Sequence, residues 1–377
     1  SLYLCSFLFT QKLLMNYFIK GLLIIVFFLP FLTIAQEKYT ISGTVTDQHS
    51  NETLIGVNII FPEIQSGTTT NEYGFYSITL PKGDYKLHVS YLGFTSISEN
   101  ISLNENKIIN FKLSESSESL DEVVITENVE RLNIKKPQMS VNTLTINTIK
   151  QIPVVLGEVD VIKALTLLPG VTNAGEGSSG FNVRGGAVDQ NLILLDEATI
   201  FNSSHLFGFV SVFNPDAIKD LKLYKGGIPA KYGGRVSSVL DIYQKEGNSN
   251  QFHMNGGVGL VSSRLLAEGP IEKEKGSFLF GGRSSYAHLF LPLFDIDNIA
   301  YFYDLNTKLS YKLNDTNNIY LSGYFGRDVF SISDSFENTY GNTVVNFRWN
   351  HLFSDKLFSN TSVIYSDYYY GLRLNFV

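Results

Sequence analysis

The sequence is poor in the residue types that cross-link a chain, bind metals or carry net positive charge. Its 377 residues include one cysteine, Cys5, and only 17% of them are Asp, Glu, Lys or Arg. A single thiol can form neither an intrachain disulfide nor a multi-cysteine metal site. Lys and Arg number 29 against 36 Asp and Glu, so the net charge is −7 and the basic footprint of a nucleic-acid binder is missing. We therefore expect no nucleic-acid partner.

Aromatic residues and glycine are abundant instead. The chain contains 21 Tyr, 28 Phe and 31 Gly. Low charge together with many aromatic residues and glycines is typical of β-rich surface or membrane proteins. The composition favours a mainly β fold over a helical cytosolic one.

An export signal is predicted near the N-terminus. Met15 is followed by Lys20, by an apolar run over Leu22–Leu32, and by the small-residue site Thr33-Ile34-Ala35. This order is the layout of a secretory signal peptide, here over residues 15–35 with cleavage after Ala35.

A transmembrane helix is the alternative for this apolar run. A membrane-spanning helix needs about 20 apolar residues, whereas this run is shorter and is interrupted by Pro30. Cys5 precedes the predicted cleavage site, so we expect no lipoprotein anchor and no thiol in the mature chain.

Residues 38–113 are predicted to form a small β-sandwich. Segments such as YTISGTVTD and YGFYSITL alternate in polarity, and turn residues separate about seven short strands at spacings of roughly 8–12 residues. The segments ISGTVTD, LIGVNIIF and YKLHVSYLGF resemble the carboxypeptidase regulatory-like domain. His49 and Glu52 fit the pattern H-x-x-E, which raises an exported metallopeptidase as an alternative. Zinc needs a third protein ligand and DQHSNET is typical of a polar turn, so we expect no metal site, no cofactor and no enzyme.

A polar linker over residues 114–130 contains a segment with strong strand propensity. The run SESSES lacks apolar anchors and predicts flexibility, whereas the β-branched run Val123–Thr126 predicts a strand. An isolated strand must pair with a sheet edge, either on another protein or, as the alternative, as the last strand of the sandwich.

This segment resembles the TonB box of outer-membrane transporters from Bacteroidetes-type bacteria. The residues that carry the resemblance are Leu120, Asp121, Glu122, Val123, Val124, Ile125 and Thr126. The resemblance implies β-augmentation by the C-terminal domain of TonB. Ile125 stands where Val is usual, and Glu127-Asn128 stands where the SusC-like branch usually has Gly-Tyr, which argues against that branch.

Residues 141–244 are predicted to form a mixed α/β domain. Apolar residues on one side of Val159–Leu168 predict a helix, and Leu192–Leu195 predicts a buried strand that ends at Asp196. A short helix is expected from Pro215, followed by a strand over Leu221–Tyr224.

A glycine run in this domain matches the dinucleotide motif G-x-G-x-x-G. The match covers Gly175–Gly180. A dinucleotide site requires a strand, a glycine turn and then a helix. Here the predicted helix precedes the glycines and a strand follows them, so we exclude a dinucleotide site.

The same domain resembles the plug domain of TonB-dependent receptors. The motifs LPGV, FNVRGG, NLILLDEATIFN, FNPDAIKDLKLYKGG and KYGGRVSSVLDI occur in that order within residues 152–241. Glu197 follows Asp196, where the family more often has Gly. The resemblance implies that the following residues contact a surrounding barrel wall: Arg184, Gly185, Gly186, Asp196, Gly226, Gly227, Tyr232, Gly233, Gly234 and Arg235.

Roles for individual side chains follow from this resemblance. Arg184 and Arg235 are expected to pair with wall carboxylates, because a buried guanidinium needs a partner; direct contact with a ligand is the alternative. His205, Phe207 and Phe209 follow Asn202 in a loop and are candidates for lining an outer cavity, with simple loop packing as the alternative.

Residues 251–377 are predicted to form about six antiparallel strands of a transmembrane β-barrel. Apolar Val345, Phe347 and Trp349, for example, alternate with polar residues, as expected for strands with one face to lipid and one to a wet lumen. The strands are expected around 252–268, 277–288, 299–313, 319–328, 341–353 and 357–376. A barrel must close in lipid, and large transporters use about 22 strands around a plug, so six strands predict an N-terminal fragment.

The predicted fold class is therefore mainly β: an Ig-like sandwich, a mixed α/β plug domain, and the first strands of an antiparallel transmembrane β-barrel. The resemblance implies a receptor in the outer membrane of a Gram-negative bacterium, with TonB and outer-membrane lipid as partners, that takes up a scarce ligand. A siderophore, a vitamin, a glycan and a peptide stay open as ligands. The alternative is a plug-and-barrel protein for adhesion, secretion or signalling.

Overall fold

The computed structural model of the protein describes Lys20 and residues 37–116, 133–134, 140–152, 159–175, 180–259, 261–294, 298–332 and 335–375. Apart from Lys20, the predicted signal peptide lies outside the described residues, as does the TonB-box-like segment Leu120–Thr126. Among the residues described, no helix is long and apolar enough to cross a bilayer. Three units follow one another along the chain: a sandwich domain, a plug domain and a seven-stranded sheet.

The sandwich domain (residues 37–116) consists of two sheets packed face to face. Its strands are β1 (Lys38–Asp47), β2 (Asn58–Phe61), β3 (Ser66–Thr69), β4 (Phe75–Pro81), β5 (Gly83–Ser90), β6 (Ile97–Leu103), β7 (Lys107–Ile108) and β8 (Phe111–Leu113), with a 3₁₀ helix at Pro62–Ile64. One sheet has the order β4-β1-β7, with β8 also paired to β1. The other has the order β6-β5-β2-β3, and β9 (Asn133–Ile134) adds to the edge of β3. Ile41, Ile59 and Leu87 are fully buried between the sheets, which confirms the predicted sandwich.

The sandwich domain has one strand more than the seven or so expected, because the segment KIINFKL is divided in two. Between β7 and β8, the Asn110 side chain accepts a hydrogen bond from the Thr44 backbone N–H at 2.8 Å. A side-chain acceptor replaces the backbone partner there, and the ladder to β1 is interrupted. Alternation of polarity cannot detect such an exchange.

The plug domain (residues 140–244) combines short helices with a mixed sheet. Its strands are β10 (Val141–Thr145), β11 (Val171–Asn173), β12 (Phe181–Val183), β13 (Asn191–Leu195), β14 (Ala198–Thr199), β15 (Ser204–His205), β16 (Val210–Ser211), β17 (Ile218–Tyr224) and β18 (Ser238–Gln244). The helices are α1 (Ile146–Lys150) and α2 (Val161–Leu165), with 3₁₀ turns at Val188–Gln190 and Leu206–Gly208. The main sheet has the order β10-β17-β18-β13-β14, in which β13 and β18 run parallel.

Helix α2 precedes the glycine run and β13 follows it, as expected from the sequence. The Asp160 carboxylate accepts the backbone N–H groups of Ile162 and Lys163 at 2.9 and 3.0 Å and so caps α2. The buried face of α2 packs on the plug core together with Leu221 and Leu240.

The prediction of a short helix from Pro215 is wrong. Pro215–Ala217 form a turn, and strand β17 begins at Ile218. The Asn214 side chain accepts the Asp216 N–H at 3.0 Å, and the Asn214 carbonyl accepts the Ala217 N–H at 3.0 Å. No helix follows this Asx turn, because the next residues form β17 and pair with β18.

The third unit is a seven-stranded antiparallel sheet in sequential order. Its strands are β19 (His253–Val258), β20 (Ser262–Glu272), β21 (Gly276–Ser285), β22 (Asn298–Asn314), β23 (Asn317–Ile332), β24 (Phe336–Ser354) and β25 (Leu357–Leu374), with a 3₁₀ helix at Ala287–Phe294. The sequence predicts about six strands, with residues 252–268 as one of them. These residues belong to a β19–β20 hairpin instead, which adds a strand. The connecting sequence Gly259-Leu260-Val261 contains no Asn, Asp or Pro to mark a turn.

The two faces of the seven-stranded sheet differ as the alternation predicts. On β24, Val345, Phe347 and Trp349 are 39–44% exposed on the outer face. Asn346 and Arg348, which alternate with them, are buried against the plug domain. This alternation is the one predicted for barrel strands, and the described strands form an open sheet.

The sandwich core provides a test of this packing. Leu87→Ala should lower the free energy of unfolding of the sandwich domain by about 2–5 kcal/mol, because the side chain is fully buried and leaves a cavity. Leu92→Ala is the matched control, since Leu92 is 61% exposed. Urea-dependent proteolysis of the intact chain measures both variants. Equal losses in the two variants would contradict the assigned core.

Candidate functional site

The contact between the plug domain and the seven-stranded sheet contains many charged and polar side chains, beside apolar ones such as Tyr324 and Val344. The inward residues of the sheet that are at most 4% exposed include Arg283, Asp304, Asn306, Lys308, Asn346 and Arg348. Buried polar groups are costly unless they are hydrogen-bonded, and buried charges are costly unless they are also paired. Each of these groups therefore demands a partner, and the plug domain supplies several of them.

Asp196, at the end of β13, is the centre of one such contact. Its carboxylate lies 3.0 Å from the Lys308 Nζ of β22 and accepts the Gln244 backbone N–H at 3.0 Å. The Asp196 carbonyl accepts a hydrogen bond from the Asn346 side chain of β24 at 2.5 Å. Asp196 and Lys308 are 1% and 2% exposed, respectively. A single plug residue thus contacts two strands of the sheet.

Asp196 and Glu197 form the two-residue turn between β13 and β14. Both lie in the left-handed region, with φ values of 46° and 72°. Two-residue hairpin turns with positive φ favour Gly at the second position, and this conformation costs a non-glycine residue roughly 1–2 kcal/mol. With Glu197 at the position where the family more often has Gly, the turn keeps the left-handed shape and carries a carboxylate.

His205 is the centre of a second contact, on β21–β23. Its Nδ1 lies 2.7 Å from an Asp328 oxygen and its Nε2 lies 3.0 Å from an Asp304 oxygen. Arg283 donates to Asp304 through Nε at 2.9 Å, and the His205 ring stacks on Phe302 at 4.2 Å. All three charged partners are at most 3% exposed.

This geometry favours the protonated form of His205. A ring nitrogen donates to an ionised carboxylate, so carboxylate oxygens at both nitrogens stabilise the imidazolium. Burial alone would lower the pKa of His205, but the hydrogen bonds to Asp304 and Asp328 outweigh it and raise the pKa. Two positive and two negative side chains then balance in the cluster.

A third contact joins Asp216 of the plug domain to β20. Asp216 accepts from the Arg264 Nε at 2.7 Å and from the Lys150 Nζ of α1 at 2.9 Å. Burial opposes ionisation of Asp216, but these two cations outweigh it and lower its pKa. The pair with Arg264 therefore persists at neutral pH.

Two of the arginines expected at the wall lie elsewhere. Arg184 is exposed and donates to the Ser140 hydroxyl at 3.0 Å, and Arg235 donates to the Gly234 carbonyl at 2.9 Å. Neither has a carboxylate partner in the described part of the seven-stranded sheet. Their pairing with a wall carboxylate stays a prediction.

The glycines and Tyr232 of the expected wall contacts also face the plug domain or open space. A Cβ on Gly186 would meet Ser237 and one on Gly226 would meet Arg184, both inside the plug domain. A Cβ placed on Gly185, Gly233 or Gly234 would meet no described atom within 4 Å. Gly227 has a φ of 59°. Tyr232 donates to Asp241 at 2.6 Å.

The loop after Asn202 divides into a buried and an exposed part. His205 is 1% exposed, so its expected place in an outer cavity is wrong, because its two carboxylate partners hold it inside the contact. Phe207 and Phe209 are 41% and 60% exposed, and Phe207 packs edge-on to Phe330 at 5.2 Å. A ligand-facing role for these two phenylalanines stays a prediction.

The residues that hold the plug domain on the sheet side were not singled out from the sequence. Arg283, Asp304, Lys308 and Asp328 come from three strands, β21, β22 and β23, and alternation alone does not give the contacts that their side chains make with the plug domain. The signal that could have found them is their charge at inward positions of the predicted strands.

The H-x-x-E pair of the sandwich domain is separated by its contacts. His49 is exposed, whereas Glu52 lies 3.3 Å from the Lys219 Nζ of β17. Among the described residues, no group of three or more His, Cys, Asp or Glu could hold a metal.

The buried pair of Asp196 and Lys308 gives a prediction. Lys308→Met should destabilise the contact between the plug domain and the seven-stranded sheet by about 3–5 kcal/mol, because Asp196 is left buried without a cation. Lys312→Met is the control, since Lys312 forms only an exposed pair with Asp315. Pulse proteolysis of the plug domain in urea compares the two, and equal stability of the Lys308 variant and the wild type would contradict the contact.

The His205 cluster predicts a pH dependence. A pKa raised above the ordinary 6.5 means that the proton stabilises the seated plug at low pH, and that this stabilisation is lost as pH rises through the raised value. Amide-exchange protection factors at Leu206 and Phe207, whose N–H groups bond to Asp328 and Tyr340, should therefore fall between mildly acidic and alkaline pH. His205→Gln should flatten this profile and His49→Gln should not. An unchanged slope in the His205 variant would refute the assignment.

Two family models match consecutive parts of the chain. Residues 41–125 match the family described as CarboxypepD_reg-like domain, and residues 133–239 match the TonB-dependent Receptor Plug Domain. TonB-dependent receptor P3 of Formosa agariphila is 29% identical over 230 residues, which are 58% of this chain and 21% of that protein. TonB-dependent receptor SusC of Bacteroides thetaiotaomicron is 28% identical over 255 residues, 63% of this chain and 24% of that protein.

Solved structures of outer-membrane receptors are similar to part of the chain. The alcaligin outer-membrane receptor FauA from Bordetella pertussis aligns with 64% of this chain and 40% of its own, at 15% identity and a TM-score of 0.49. The similarity to SusC leaves the expected separation from the SusC-like branch a prediction. The matched region is about a quarter of the length of SusC. With its carboxypeptidase regulatory-like domain, plug domain and barrel strands, this chain belongs to the TonB-dependent receptors of the Bacteroidetes type.

Proposed function

We propose that the chain is part of an outer-membrane receptor of a Gram-negative bacterium that imports a scarce ligand with energy delivered by TonB. The ligand would bind on the outer side of the plug domain, and TonB would act on the segment Leu120–Thr126 from the periplasm. No bond of the ligand changes in this reaction. The protein moves a plug and makes no chemical conversion.

One observation carries the proposal: the plug domain rests on the polar face of the barrel strands through hydrogen-bonded charges. Asp196 with Lys308, His205 with Asp304, and Asp216 with Arg264 form the main contacts. Water can replace each hydrogen bond as the plug domain moves, whereas an apolar contact would expose hydrocarbon. A polar seat of this kind suits a plug that must leave and return.

The same face would line the channel after the plug domain moves. Asn306, Asn346 and Arg348 point inward and would be hydrated once uncovered. A scarce polar ligand could then pass along a wet wall. The outward aromatic residues keep the strands in lipid throughout.

The segment Leu120–Thr126 lies between the sandwich domain and the plug domain along the chain. β8 ends at Leu113 and β10 begins at Val141. A pull applied at the segment therefore loads both domains. Its β-branched residues suit addition as an edge strand to TonB, where backbone hydrogen bonds carry the load.

A peptide covering residues 116–131 should bind the purified C-terminal domain of TonB from the same organism. Val124→Pro should weaken binding at least about tenfold, because proline removes a backbone donor and disrupts strand pairing. Isothermal titration calorimetry measures both peptides. Ser116→Pro, outside the segment, is the matched control and should bind like the parent peptide.

The cell offers an independent readout of the same contact. With Ile125→Cys in the complete gene, TonB carrying a single cysteine on its edge strand should form a disulfide-linked product that Val124→Pro suppresses. Equal affinity of the parent and Val124→Pro peptides, together with no linked product, would reject TonB-driven uptake and favour an adhesion, secretion or signalling role.

A further inference from the structure

Glu197 stands in a backbone conformation that favours glycine. It follows Asp196 in the turn that joins β13 to β14, with a φ of 72°. A strained residue persists where its surroundings over-determine it, and such positions concentrate at functional contacts. The contacts of the Glu197 side chain therefore indicate which function this conformation serves.

The Glu197 carboxylate receives hydrogen bonds from two other units of the chain. The Tyr73 hydroxyl of the sandwich domain donates to Oε1 at 2.5 Å, and the Asn360 amide of β25 donates to the same oxygen at 2.8 Å. The Ser362 hydroxyl donates to Oε2, and the Arg348 guanidinium of β24 lies 4.0 Å away. One plug carboxylate thus joins the sandwich domain, the plug domain and the seven-stranded sheet.

Apolar and polar contacts surround this carboxylate on the sandwich side. The rings of Tyr73 and Phe75 each stack on Phe358 at 5.4 Å. The Arg348 guanidinium lies 4.7 Å above the Tyr73 ring. The Ser77 hydroxyl donates to the Asp355 carbonyl in the turn between β24 and β25 at 2.7 Å. The sandwich domain therefore docks on the end of the sheet that carries its short turns.

The sandwich domain also binds the plug domain directly. Glu52 pairs with Lys219 at 3.3 Å, and Glu72 pairs with Lys231 at 2.8 Å. One domain is thus attached to the plug, which must move, and to the wall, which stays in place. While it is docked, the plug cannot leave past this end of the sheet.

We propose that Glu197 is a latch: it holds the sandwich domain docked across the plug domain and the β24–β25 turn, and this docked domain keeps the plug closed. Release by TonB rests on the proposed function, because the segment Leu120–Thr126 connects the two latched domains. The latch itself depends only on contacts within the chain.

Glu197→Gly separates a latch from a tolerated turn residue. Glycine relieves the left-handed strain, so the variant keeps the turn. If Glu197 had no role beyond the turn, docking would be unchanged or tighter. As a latch residue, its loss should loosen docking although the turn itself becomes less strained.

The measurement is the rate at which a maleimide labels Ser77→Cys in the purified complete protein, in a Cys5→Ser background. Glu197→Gly should raise this rate about tenfold, as expected for loss of charge-assisted hydrogen bonds. Tyr73→Phe should raise it in the parent chain and add little in the Glu197→Gly chain, because both remove the same contact.

Glu274→Gly is the matched control. Glu274 also has a positive φ, 64°, in the turn between β20 and β21, and its backbone carbonyl accepts from Asn51. The control should label like the parent. Labelling of Glu197→Gly at or below the parent rate, or equal acceleration by both glycine variants, would overturn the latch.

A second arm separates the latch from TonB-driven uptake. In cells, dissipating the proton gradient should slow labelling in the parent chain and leave Glu197→Gly unaffected. If the purified protein labels as expected but the gradient has no effect in cells, the latch stands and the proposed uptake mechanism falls.

Discussion

The structure depends on one constraint, which is that charges buried between the plug domain and the barrel strands must be matched one by one. An unpaired buried charge costs several kcal/mol, roughly the stability of a small domain. The pairing of Lys308 with Asp196 and of Asp304 with His205 and Arg283 therefore fixes the position of the plug domain on the strands. A purely apolar interface would not define the position of the plug domain in this way, because hydrophobic contacts are not directional.

The same matched charges bear on whether the contact between the plug domain and the sheet is reversible. The polar contacts that hold the plug domain are ones that water can replace, and they lie beside apolar contacts such as those of Tyr324 and Val344 with the plug core. Protonation of His205 contributes to this charge balance. Two negative carboxylates, Asp304 and Asp328, are neutralised by Arg283 only when His205 is an imidazolium as well. Aromatic residues such as Phe347 and Trp349 lie on the opposite, outward face of the sheet.

Glu197 shows how local strain and tertiary contact are linked. The family preference for glycine at this turn is a preference for backbone freedom. This chain places a carboxylate there instead and surrounds it with donors from the sandwich domain and from β25. The departure from the family pattern is therefore not a neutral exchange, since it ties a third unit to the plug and the wall.

The sequence by itself determined the order of the units and the face on which each strand residue lies. Alternation in β22 and β24 has a period of two, which the backbone imposes locally, and the motifs of the plug domain are contiguous in the chain. Local signals failed where a side chain replaced a backbone partner, as at Asn110 and Asn214, and where the β19–β20 connection contains no Asn, Asp or Pro. Only the tertiary structure decided that His205 is buried rather than ligand-facing, that Arg184 bonds within the plug domain, and that Glu197 reaches Tyr73. Those contacts join residues more than a hundred positions apart or depend on which surfaces meet, and no local pattern encodes which charges will face each other.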